Sequence, residues 1–166
     1  MILNQGELLN LPRIIRGTMH RKLESIDLEI IFKGAAVWSL FYAFLLCTKL
    51  PCTQVAMIIH GDINWERHSL VRSVDRVGRT WVMEPSKDLF DRIPKGLSAS
   101  EPLFPSLYCD IDDPEHRELQ LNENLATPNE FLGALLASEN RPLASLMSFR
   151  ITGSTTLPYV GTQVVN

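Results

Sequence analysis

At 166 residues, with 45% hydrophobic and 21% charged side chains, the chain has room for one domain with a real core and an ordinary globular composition. A net charge of −3, from 16 basic and 19 acidic residues with no basic run, excludes an electrostatic footprint for nucleic acid. Three cysteines without a CxxC pair, and histidines at 20, 60, 68 and 116 that never cluster with them, suggest neither a disulfide framework nor a zinc site, so no metal or cofactor is expected.

The opening stretch MILNQGELLNLPRIIRG lacks the basic-then-apolar order of a secretory signal. The expected location is therefore the cytoplasm, or a target cell reached by another export route. Residues 6–31 read as one or two helices, broken near Pro12 and Gly17, with Leu23, Ile26, Ile30 and Ile31 on one stripe. After Gly34, residues 35–49 form an apolar run bounded by Lys33 and Lys49 and stopped by Pro51. That run is shorter than the roughly 20 residues a membrane span requires, so it predicts a buried core helix.

TQVAMIIH, 53–60, reads as a buried strand, and GDINWER as a loop. HSLVRSV and RTWVME flank DRVG and predict a hairpin, with strands over 68–74 and 79–84 and Gly78 at the turn. Five prolines between 85 and 114 predict irregular surface structure. ATPNEFLGALLASEN predicts a helix with Thr127 as N-cap, Pro128 at N1, Glu130 at N3, and Phe131, Leu132, Leu135 and Leu136 buried. LMSFRITG, near 146–153, reads as a final strand. The expected fold is therefore α/β of the α+β type, a single domain over 1–166 in which the core helix packs on an antiparallel sheet, with extra helices at both ends.

The order of helix, strand, loop, strand opening on His68, tight turn, and strand ending WVMEPS resembles the core of the transglutaminase-like, or papain-like, thiol hydrolases. The resemblance covers 33–90 and leaves 91–166 as a variable C-terminal part. In that family a Gly-x-Cys step opens the core helix, and a later histidine and acid complete a triad. HSLVRSVDRVGRTWVMEPS matches the second half, with Glu84 where the family has Asp. GAAVWSLFYAFLLCTKLP matches the helix, but alanine stands where the family has its cysteine. The resemblance implies catalytic positions at Ala36, His68 and Glu84. The Gly-x-Cys spacing favours Ala36, while the apolar register is also compatible with Ala35.

The chemistry explains those places. A helix N-terminus and an imidazolium lower a thiol's pKa, the histidine carries the proton, and the acid orients the ring. Cys47, about three turns along the helix, and Cys52, beyond Pro51, cannot use that helix end. His68 and Glu84 share a sheet face only if paired residue numbers sum to an even value, which a bulge at Gly78 would give. A missing thiol has two explanations: an inactivating Cys→Ala change, or a natural pseudoenzyme.

Each of these residues also has a plain structural role. His68 reads equally as a polar strand edge, Glu84 as a solvated strand end, and Ala35 and Ala36 as good helix formers. Asp75 and Asp88 are rival acids, Cys109 with His116 is a rival nucleophile pair, and DIDD, 110–113, lacks calcium-loop spacing. Two functions follow. One is a thiol hydrolase acting on an amide of a protein substrate, by glutamine deamidation or peptide cleavage, in the manner of a bacterial effector or toxin. The other is a non-catalytic binding protein that recognises a partner protein.

Overall fold

The computed structural model describes residues 20–73, 80–83, 87–154 and 157, with the backbone alone at 72, 73 and 80–83. Its first helix, α1 (Ser25–Gly34), begins with reciprocal capping. The Asp27 carboxylate accepts the Glu24 backbone N–H at 2.8 Å, which satisfies one of the donors a helix start leaves open. Asp27 is fully buried, and two arginines close on it: Arg21 Nη1 at 2.7 Å and Arg141 Nε at 2.8 Å. Arg141 also donates to Glu24. Arg21 in turn donates to the carbonyls of Pro142 and Leu143.

After α1 the chain turns sharply. A 3₁₀ turn, Ala36–Trp38, leads into α2 (Ser39–Thr48), and the two helical segments meet at 115°. The expected core helix is thus present, and Phe41, Tyr42, Phe44, Leu45 and Leu46 are fully buried on it. Its closest neighbour is not the sheet but the helix near the C-terminal end, α6 (Leu146–Thr152, defined below), where Tyr42 stacks on Phe149 at 5.0 Å. Among the described residues no single helix is long and apolar enough to cross a membrane.

The predicted strand at 53–60 is corrected. Cys52–Ala56 is a short helix, α3, His60–Asp62 is a 3₁₀ turn, and only Ile59 makes an isolated bridge, to Pro102. Val55, Ala56 and Ile58 are fully buried, so the apolar run reported burial rather than strand period. Three antiparallel strands follow in the order β1-β2-β3: β1 (Ile63–Asn64), inside the expected loop, then β2 (Ser69–Ser73) and β3 (Thr80–Met83). The expected hairpin strands are present; the turn between them lies outside the described residues. Ile63 and Leu70 carry the sheet into the common core.

A short helix, α4 (Lys87–Asp91), interrupts the proline-rich region. The predicted helix start at Thr127 is also corrected, because α5 runs unbroken over Pro114–Ser138. Asp113 is the N-cap, accepting the His116 N–H at 3.1 Å, and Pro114 stands at N1. Leu121, Leu125, Pro128, Leu132 and Leu136 form one buried stripe along it. That continuous burial overrides the local Thr-Pro cap signal and the helix-breaking cost of an internal proline, about 3 kcal/mol. Tyr42 Oη donates to the Pro128 carbonyl at 2.6 Å, and burial raises the Tyr42 pKa, which keeps the phenol a donor.

The expected strand at 146–153 is the helix α6 (Leu146–Thr152). Its start is held by a Ser145–Ser148 capping pair and by Asn129 Oδ1, which accepts the Leu146 N–H at 3.0 Å. The described residues therefore form a mixed fold, largely helical, with one small antiparallel sheet.

Burial alone would raise the Asp27 carboxyl pKa. The hydrogen bonds from Arg21, Arg141 and the Glu24 backbone more than offset it, so the carboxyl is held well below its usual range. A depressed acid contributes stability above its unfolded pKa, near 3.9, and loses it as pH falls further. In urea unfolding at pH 7, Asp27→Asn is expected to cost about 3 kcal/mol, because two guanidinium groups lose their buried counter-charge. The variant should also show a shallower loss of stability than the wild type below about pH 4.

Candidate functional site

The segment Gly34-Ala35-Ala36 is the corner between α1 and α2, and its first two residues sit in close surroundings. A β-carbon on Gly34 would lie 2.6 Å from Leu135 Cδ2, the tip of a side chain on α5 that would have to shift to admit it. Ala35 is fully buried. Ala36 is exposed and has φ +49°, a left-handed conformation that strains any residue with a β-carbon. Of the two candidate nucleophile positions, Ala36 is the one open to solvent.

Beyond Ala36 the chain borders a cleft of about 610 Å³. Val37 and Trp38 line it from the corner, Ser106 from a loop, and Gln120, Glu123, Asn124 and Thr127 from one face of α5. Val37 is 85% exposed, and Trp38 is half-buried with its ring edge-on to Phe41 at 6.5 Å. The α5 face is organised internally. Gln120 Nε2 donates to Asn124 Oδ1 at 2.9 Å, and Asn124 Nδ2 donates to the Leu107 carbonyl at 3.1 Å.

His68 is exposed and also left-handed, with φ +49°. Its ring packs against Phe90 at 5.4 Å, and Phe90 meets Trp65, over which Lys95 Nζ sits at 5.3 Å. His68 is not among the residues lining the cleft beside Ala36. Glu84 lies outside the described residues. In the ladder, Leu70 pairs with Met83 and Val71 with Val82, numbers that sum to odd values. This register is not the even-sum one expected from a bulge at Gly78.

The rival groups have other engagements. Cys109 is buried, while His116 is exposed with its Nδ1 2.6 Å from Asp113, the helix cap. No group of three or more His, Cys, Asp or Glu residues among the described ones could hold a metal ion. Cys52 opens α3, yet burial pushes its thiol up to about 11, outweighing a backbone hydrogen bond and the charge of Arg150. No family model matches the chain, and neither a curated protein nor a solved structure does.

Sequence reasoning singled out Ala36, which is next to the lining residue Val37 but not itself in the lining, and missed the facing wall. Gln120, Glu123, Asn124 and Thr127 recur at helical spacing, but a polar stripe of that kind reads as a solvated helix face until something packs opposite it.

The left-handed Ala36 gives a direct test of the corner. Ala36→Gly removes a strain of about 1–2 kcal/mol and adds back roughly 0.5–1 kcal/mol of unfolded-state entropy. Thermal unfolding should therefore move up by about 1–3 °C, and the β-branched Ala36→Val should move it down.

Proposed function

We propose that this chain is a recognition protein that receives part of a partner protein in the cleft between the Ala36 corner and α5. The observation that carries this reading is the cleft's lining: an exposed valine, a half-buried indole and five polar side chains, with no thiol and no imidazole. Such a mixture of apolar surface and positioned polar groups suits binding. Replacing Val37 with the photo-crosslinker p-benzoylphenylalanine should trap a discrete protein adduct in an extract of the encoding organism. The same replacement at exposed Leu97 should not. Identical adduct patterns at the two positions would overturn the reading.

A second reading rests on the exposure of Ala36 at the entry to the core helix, beside that cleft. It is the thiol hydrolase of the transglutaminase-like or papain-like kind, acting on a protein amide in the manner of an exported effector or toxin, with cysteine restored at position 36 and His68 and Glu84 as its base and acid. In the Ala36→Cys protein, the pH-dependence of iodoacetamide alkylation is the measure. A catalytic apparatus gives a thiol pKa well below ~8.5 that rises when His68→Ala is added. The recognition reading expects an ordinary profile at 36 and at 35, with Cys52 alkylating slowly at neutral pH because its thiol sits near 11.

A further inference from the structure

We infer that the cleft reads an arginine side chain displayed by the partner, an inference that rests on the recognition reading above. Glu123 is the one charged residue in the lining, and neither lysine, arginine nor histidine accompanies it. Among the described residues no cation is paired with its carboxylate.

The amides add acceptors in a fixed orientation. Asn124 is anchored at both ends, its oxygen by Gln120 and its nitrogen by the Leu107 carbonyl. Because Gln120 turns its nitrogen toward Asn124, its Oε1 is left as an acceptor with no described donor. The hydroxyls of Ser106 and Thr127 can accept as well. A wall of one carboxylate, one amide oxygen and two hydroxyls, bordered by the Trp38 indole, calls for a ligand with several diverging N–H donors and a flat apolar face.

Guanidinium has that shape. It is planar and weakly hydrated, presents five donors and stacks on aromatic rings, whereas a lysine ammonium is a compact, strongly hydrated point charge. The same protein already seats a cation on an indole, Lys95 over Trp65. Leu119, 65% exposed and one turn before Glu123 on α5, gives an apolar shoulder for the arginine stem. The net charge of −3 favours approach of a basic segment.

The test uses the full chain and a small probe, Nα-acetyl-arginine N-methylamide, with the neutral citrulline isostere and the lysine analogue beside it. The readout is the NMR shift of the Gln120 and Asn124 side-chain amides and of the Trp38 indole N–H. Saturable shifts with arginine, none with citrulline and weaker ones with lysine are expected. Glu123→Gln should weaken the arginine response at least about threefold, an exposed ion pair's worth, while Glu118→Gln, exposed on the same helix, should leave it unchanged. Equal response to citrulline or lysine, indifference to Glu123→Gln, or no shift with any probe overturns the inference. If the Val37 adduct nevertheless forms, this inference alone has failed; if no adduct forms, the recognition reading has failed with it.

Discussion

One buried carboxylate sets the geometry of this protein. Asp27 sits out of water with three donors on it, from Arg21, Arg141 and the Glu24 backbone. A buried charge is tolerated only when it is paired and hydrogen-bonded, so this contact holds α1 against the segment that follows α5. With α1 fixed there, Gly34 reaches Leu135, and the chain must turn at Ala35 and Ala36 to bury α2. That turn projects Val37 and Trp38 toward the polar face of α5. The cleft thus lies at the far end of α1 from a charge cluster that ties residues more than a hundred apart in sequence.

This explains what could be read from the residues and what could not. The core helix was legible because all-round apolarity has one economical meaning at that length, and the hairpin because alternation and a turn glycine coincide. Residues 53–60 and 146–153 misled for a shared reason: short apolar runs report burial, and β-branched content does not decide between a turn of helix and a strand. At 146–152 the spaced serines, Ser145 and Ser148, were the overlooked helix signal. At Thr127 the error was the reverse. A strong local start signal lost to a leucine stripe that runs through it, as tertiary burial regularly overrides local propensity. Of the candidate cleft, none of the lining residues was singled out as a site from sequence, since facing surfaces are made by long-range packing.

The alanines at the corner illustrate how a sequence pattern can carry two meanings. Gly-Ala-Ala before an apolar helix resembles a thiol site with its sulfur removed. It also fits a 115° junction between packed helices: glycine at 34 where Leu135 comes close, a fully buried alanine at 35, and at 36 an exposed alanine held at a strained positive φ. The same positive φ occurs at Lys49, His68 and Asn140, so at Ala36 it marks a tight corner next to the cleft rather than a feature unique to it.

The long reach of these contacts has a consequence for synthesis. Leu23 N–H is satisfied by Thr152 Oγ1 at 2.8 Å, His20 Nδ1 lies 2.6 Å from Ser145 Oγ, and Asp27 requires Arg141. On the ribosome the first helix thus emerges long before the groups that hold it. Until Arg141 is free of the exit tunnel the Asp27 carboxylate has only local partners, and until Phe149 follows, Tyr42 on α2 lacks the ring it stacks on. Burial of α2 is therefore completed in steps, first by Phe104 against Phe41 and Phe44 and later by Phe149 against Tyr42, so each step waits on a contact distant in sequence.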